Sequence, residues 1–335
     1  MQTIRHQYIE RDSGEIRTEK LYGDRFIRLL YNEVRETAPI LFRLFTSAQA
    51  SSLLGFVNFD APFAAAFTGN RRFLAECGVD LGECQESPVF FDTPRKVFER
   101  KIRYWECRPM PDDPGAIVSP ADARLLVGSF RESSALFLKE KFFDFEELLG
   151  RDKRGWLRSF RGGDFAVCRL TPDKYHYNHT PVAGKVVDFY QIPGGFHSCN
   201  PGAVVQIATP YSKNKRVVTI INTDVQNGSG IGLVAMIEVV ALMIGDIVQR
   251  YSEERYSYPR PVERGMFLKK GAPKSLYRPG SSTDVLIFQK GRISFADDLV
   301  NNMFNLNAES RFSQGFGRPL VETDVKVRSR IAARL

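Results

Sequence analysis

The chain is poor in the residues that would staple or anchor it. Its 335 residues include five cysteines, Cys77, Cys84, Cys107, Cys168 and Cys199. An odd number with no CxxC pair argues against a disulfide framework and against a cysteine zinc site. The segment Met1 to Lys20 is polar and charged and lacks the apolar stretch of a signal peptide, so a reducing compartment, the cytoplasm, is expected. One apolar run approaches spanning length, Ile231 to Val248, but it holds Glu238 and Asp246. Each acid costs about 2.5–3.5 kcal/mol at a bilayer centre, so the run reads as buried strands and no transmembrane anchor is expected. Internal repeats and low-complexity tracts are absent too.

What is present is the composition of a folded protein, 43% hydrophobic and 26% charged, long enough for one large domain or two ordinary ones. Lysine and arginine number 47 against 39 acids, a net charge of +8 that favours anionic partners such as phospholipid headgroups or nucleic acid. Much of the excess falls between Arg71 and Arg108, among Phe90, Phe91, Phe98, Tyr104 and Trp105. That stretch is either a solvated helix face or a docking surface. No nucleic-acid reader motif accompanies the charge, and nucleic acid is not expected as a partner.

From about Gly23 to Phe67 apolar residues recur at helical spacing, as in Phe26, Leu29, Leu30 and then Ile40, Leu41, Leu44, Phe45. Leu53 to Phe67 is aromatic and aliphatic with few charges, the texture of a packed helix or of an amphipathic segment on a bilayer. After Pro109 short β-rich runs separated by turn residues take over: 116–117, 123–127, 165–170, 185–190, 204–208, 216–222 and 284–289. Between them Leu138 to Gly150 reads as a short helix stopped by its glycine. These patterns divide the chain into a helical, basic region over 1–110, which the charge marks as a membrane-associating one, and a β-rich catalytic domain over 111–335. The fold class is α+β, a helical region packed on a two-sheet, sandwich-like or barrel-like domain.

Chemistry has few places to sit, because the chain has four histidines, His6, His176, His179 and His197. His176 and His179 lie in Asp173 to Pro181, where Asn178 and Pro181 favour a turn that sets the two rings side by side. Such a pair supplies an acid and a base near neutral pH; metal binding is the rival, with no third ligand nearby. Gly280-Ser281-Ser282-Thr283 precedes an apolar strand, and Ser119-Pro120-Ala121-Asp122 lies in a loop. Each alone reads as an ordinary turn. Together an Asp, a His and a Ser are the parts of an oriented base and an activated hydroxyl.

Taken in order, these segments resemble the phosphatidylserine decarboxylase family over most of the chain. The resemblance rests on Phe98-Glu99-Arg100 through Arg108-Pro109, Ser119 to Ala123, Leu148-Leu149-Gly150, Tyr175 to Pro181, Asn214 to Val217, Val239 to Ile247, and Gly280 to Thr283 with the strand ending at Phe288. It implies a self-cleaving proenzyme cut between Ser281 and Ser282, giving a β chain of 1–281 and an α chain of 282–335 that stay packed together, with Ser281 the fallback nucleophile. Ser282 would become a covalent pyruvoyl group, the cofactor, and no metal is implied. The implied roles are Ser282 as nucleophile, His179 as its base with Asp122 holding the imidazole, and His176 as acid and base at the substrate carbon, although the two histidines could exchange roles. The implied partners are the phosphatidylserine headgroup and an anionic membrane surface, with docking at the inner face of the cell membrane; a homodimer is expected from the resemblance alone.

Several positions depart from the family pattern: Ala123 and Ser281 replace glycines, Pro273 and Ser275 replace an acid and a glycine, and Val240 replaces another glycine. By the resemblance Ala123 would tighten the turn near Asp122, Ser281 would slow cleavage, and the other three would alter the substrate pocket. Two other readings therefore stand beside the first: a same-fold pyruvoyl decarboxylase acting on a free amino acid or another serine phospholipid, and an uncleaved, non-catalytic lipid-binding relative.

Overall fold

The computed structural model describes residues 5–21, 24, 27, 29–38, 40–42, 46–47, 78–130, 142–206, 209–242, 246–280 and 282–335. In chain order its strands are β1 (Gln7–Glu10), β2 (Ile16–Thr18), β3 (Ala116–Val118), β4 (Ala123–Ser129), β5 (Asp164–Leu170), β6 (Tyr177–His179), β7 (Gly184–Ile192) and β8 (Arg216–Asn222). They continue with β9 (Leu233–Val240), β10 (Ile247–Gln249), β11 (Phe267–Leu268), β12 (Pro273–Tyr277), β13 (Ser282–Phe288), β14 (Ile293–Phe295), β15 (Glu322–Val325) and β16 (Arg330–Arg334).

Ten of these form one sheet in the order β11-β7-β8-β9-β13-β5-β4-β15-β1-β2, with two three-stranded sheets beside it, β10-β12-β6 and β14-β16-β3. The alternation of side chains along a strand explains how the layers are filled. Leu286 and Phe288 of β13 join Ala166, Cys168 and Leu170 of β5 in a core that the small sheets cover with Ile117, Ile247, Tyr277, Ile293 and Ile331. Val285 and Ile287 point the other way, into a second core with Phe145, Leu148, Phe160, Phe312 and Phe316 from short helices. The result is α+β, small sheets on one face of a large sheet and helices on the other. The sheets are not closed into a barrel, so the barrel-like expectation fails. β13 is buried along its whole length and lies centrally between β9 and β5, both antiparallel to it.

Three local expectations are corrected. Residues 7–18, assigned to the helical region, instead form β1 and β2; β1 pairs in parallel with β15 near the other end of the chain, a partner that no local pattern reveals. A strand over 204–208 is not formed among its described residues, because Asn200 caps Gly202 N–H and Pro201 starts a helical turn, Pro201–Val204. Asp173 to Pro181 is not a simple turn: Tyr177–His179 is drawn out as β6 by pairing with β12. The helix before Gly150 spans Phe145–Leu149, and Gly150 ends it at φ 98°. The segment Leu53 to Phe67 lies outside the described residues, while Ile27, Leu30, Tyr31 and Phe42 pack as a small cluster against Ala203 and Leu242.

Candidate active site

β6 sorts its side chains between two environments. Asn178 looks toward the large sheet, where its amide donates to Glu238 Oε1 and to Ser275 Oγ, both at 3.2 Å. Tyr175 and Tyr177 join an aromatic cluster with Ile102, Tyr104 and Leu276, and His179 meets the Tyr104 ring edge-on at 4.8 Å. The spacing of three therefore separates the two histidines instead of pairing them, since extended residues three apart project to opposite sides.

His176 packs its ring against Phe98, with centroids 3.9 Å apart, beside the main chain of Gly280 at the head of the candidate cleavage turn. Its Nδ1 lies 2.7 Å from the Lys174 carbonyl, which can only accept, so Nδ1 carries the proton and Nε2 the lone pair. That Nε2 is buried without a hydrogen-bond partner. Burial, reinforced by Arg100, pushes the imidazole down to about 3, so it rests neutral, a lone pair ready to accept a proton. His179 is also neutral, lowered to about 3 chiefly by burial. Its Nδ1 faces the Gly271 carbonyl at 2.8 Å and its Nε2 meets the Tyr175 hydroxyl at 3.0 Å. Gly271 adopts φ +73°, where a side chain would be strained, and so presents that carbonyl.

Asp122 does not hold His179. Its carboxylate receives Arg108 through Nε at 3.0 Å and Nη2 at 2.9 Å, and the Val327 N–H at 2.7 Å. Burial would raise its pKa, but the Arg108 guanidinium outweighs this and keeps it below the usual carboxylate value. The bidentate bond turns Asp122 away from the imidazole, although its charge still bears on His179 through space. The basic stretch is likewise largely paired: Arg95 with Glu99, Lys96 with Asp92, Arg103 with Glu106 and Arg108 with Glu83.

Ser282 opens β13, opposite Leu170 of β5 and Val240 of β9, and its buried Oγ has no hydrogen-bond partner. Ser281 lies outside the described residues. The sequence reading missed what lies two residues on. Asp284, on the same face of β13, accepts the Tyr277 hydroxyl on Oδ1 at 2.7 Å, while its buried Oδ2 is unpartnered. Beside it Glu238 receives Lys274 Nζ at 2.6 Å and the Ser275 hydroxyl. The signal was in the sequence, acids inside apolar strand runs; Glu238 had served only to argue against a membrane span.

A family model described as phosphatidylserine decarboxylase matches residues 95–315. The chain belongs to that family. Its members similar to this chain include the phosphatidylserine decarboxylase proenzyme of Fusobacterium nucleatum, 29% identical with 92% of this chain and 95% of the relative covered. The proenzyme of Ruminiclostridium cellulolyticum is also 29% identical, over 88% of this chain and 91% of its own. That of Chlamydia trachomatis is 28% identical, over 93% and 96%. The family match spans His176, His179, Asp122 and Ser282 alike. No helix among the described residues is long and apolar enough to cross a membrane.

Proposed function

We propose that this chain is a self-processing phosphatidylserine decarboxylase whose cofactor is a pyruvoyl group made from Ser282. The observation that carries the reading is the unpartnered Ser282 Oγ, buried at the head of β13, with the His176 ring beside the main chain of Gly280 two residues before it. Buried polar atoms are normally satisfied, and orphans at one place mark a site prepared for a reaction or a ligand. The residues fit the group: a serine at the head of a central strand, fixed by two neighbours, with a neutral imidazole beside the turn.

In the first phase Ser282 Oγ attacks the Ser281 carbonyl; a C–O bond forms, the C–N bond breaks, and the nitrogen of residue 282 takes the proton. Loss of the Cα proton then breaks the Cβ–Oγ bond, leaving a carboxylate on Ser281, and water replaces the nitrogen of residue 282 as ammonia departs. The resemblance makes His179, within the field of Asp122, the base of this phase, and its bond to Tyr175 must open for it to serve. Once formed, the pyruvoyl carbonyl supplies an electron sink for loss of carbon dioxide. His176 would serve as acid and base at the substrate carbon: its Nε2 is a lone pair at rest and must first take a proton, such as the one the substrate amine gives up on condensation, before it can return one to carbon. Docking to an anionic membrane surface, and residence at the inner face of the cell membrane, belong to the same proposal; about 1 kcal/mol per well-placed cation would hold the chain reversibly.

Intact-mass measurement of the purified protein tests the reading. Two chains split before residue 282, with a borohydride-reducible carbonyl on the smaller one, are expected. Ser282→Ala stays full length, His179→Ala processes slowly, and His176→Ala processes but releases little carbon dioxide from phosphatidylserine vesicles. A wild-type chain that remains whole after long incubation overturns the proposal.

A further inference from the structure

The strand that begins with Ser282 carries a second set of polar groups that the processing chemistry does not use. Glu238, Lys274 and Asp284 are each 0% exposed. Lys274 donates to Glu238 and also to Gln249 Oε1 at 3.1 Å. Two carboxyl groups and one ammonium shut away from water balance their charge when one carboxyl keeps its proton. Lys274 and Ser275 both bond Glu238, so Asp284 is the group that keeps it, and burial together with the neighbouring Glu238 raises its pKa well above the ordinary aspartate value.

Proton positions then define what this pocket offers. Asp284 Oδ1 accepts from Tyr277, which leaves Oδ2 as an O–H donor with nothing to receive it. Asn178 Oδ1 is a buried acceptor without a donor, because the amide nitrogen makes both of its bonds to Glu238 and Ser275. His176 Nε2 is a second free acceptor. Asp284 and Ser282 share a strand face, about 7 Å apart along the chain; Asn178 of β6 reaches that face through Glu238, the cross-strand neighbour of Asp284, and His176 lies beside the main chain of Gly280. Two acceptors and one donor near the start of β13 are the complement of an α-amino acid group, whose ammonium has protons to give and whose carboxylate needs one.

We propose that Asp284 and Asn178 form the subsite for the amino-acid headgroup of the substrate, with Asp284 donating a hydrogen bond to its carboxylate and Asn178 accepting one from its amine. This rests on the self-processing reading and adds to it a binding residue for the group that reacts. The same chemistry is presented by a phosphatidylserine headgroup and by free L-serine. Asp284 can donate only while it holds its proton, which burial and the neighbouring Glu238 favour. The other charged and titratable groups facing Asp284 are Glu238 from β9, Lys274 and Tyr277 from β12, and Cys168 from β5.

Asp284→Asn and Asp284→Val in the full chain test it, with processing read by intact mass and carbon dioxide release measured on phosphatidylserine vesicles and, separately, on free L-serine. Losing a hydrogen bond to a charged group raises KM about ten-fold or more in Asp284→Val, with kcat changed far less, for whichever source the enzyme uses. Asp284→Asn keeps a donor at this position, so its KM rises by well under ten-fold. A processed Asp284→Val chain with wild-type KM, or a processed Asp284→Asn chain whose KM has risen ten-fold or more, overturns the subsite alone. If Asp284→Val does not process, Asp284→Asn decides. A wild-type chain that never processes sinks the parent reading and the subsite with it.

Discussion

On one face of the central sheet Arg169 is met by two carboxylates; on the other Lys274 is met by one while a second stands by. Arg169 donates to Glu322 Oε1 through Nε and to Glu19 Oε1 through Nη1, both at 2.9 Å, and further to each second oxygen. His6 Nε2 lies 2.9 Å from Glu322, and its Nδ1 accepts the Arg311 N–H. These bonds tie the residue after β2, strand β5 and strand β15 into one knot, joining the two ends of the described chain. Around Lys274 the bonds are fewer, and the edge nearest Ser282 is left with free atoms. A satisfied buried network specifies structure, whereas one with free atoms stores binding capacity.

The largest effect expected from breaking this contrast is on stability. Arg169→Met leaves Glu19 and Glu322 buried without their cation, a loss of about 3–5 kcal/mol. The midpoint of urea unfolding should fall sharply, while the fraction that remains folded still processes at Ser282. A variant that is stable but unprocessed would show that the Arg169 knot acts on the site as well as on the fold.

How legible these two regions were follows from where their partners lie. β8 and β13 could be read from local sequence because their apolar residues and their flanking turns are contiguous. The residues of the candidate site were found as types in a motif order, but Asp122 was assigned to His179, and no local rule reveals that Arg108 would take both its oxygens. β1 and β2 escaped because β15 is their support, and β6 because β12 imposes extension on residues that otherwise favour a turn. Asp284 and Glu238 were visible only as interruptions in apolar runs; their meaning appears when β9 and β13 place them side by side.

Acid should separate the two regions in sequence. His176 and His179 have folded values of about 3 against an ordinary 6.5, so below about pH 6.5 the unfolded chain binds protons that the folded chain refuses. Stability then falls as pH drops from about 6.5 toward 3, at about 1.4 kcal/mol per unit for each histidine. Glu322 is shifted in the same direction but acts at lower pH. Burial raises its pKa, but Arg169 more than compensates and holds it at about 2 against 4.5, so its contribution is complete above 4.5 and is lost between 4.5 and 2. Urea unfolding at a series of pH values should show a slope between pH 6 and 5 that shrinks in His179→Gln and is unchanged in Arg169→Met. An unchanged slope in His179→Gln would mean that this imidazole is not buried neutral.

The smallest expected effect carries the sharpest distinction. Lys274→Met alone leaves Glu238 without its cation and should cost about 3–5 kcal/mol, much like Arg169→Met. Lys274→Met combined with Glu238→Leu exchanges the pair for apolar groups of similar volume, and such exchanges are commonly neutral or stabilising. The double variant should therefore recover much of the stability lost in Lys274→Met, short of what Asn178, Ser275 and Gln249 lose with their partners, and should still self-process, because neither residue belongs to the cleavage chemistry. Its KM for the substrate should nevertheless rise, since Asn178 loses the Glu238 oxygen that orients its amide and Asp284 loses the neighbour that keeps it protonated. Recovered stability with altered KM would place the Lys274–Glu238 pair in recognition, whereas recovered stability with unaltered KM would reduce it to a packing solution interchangeable with methionine and leucine.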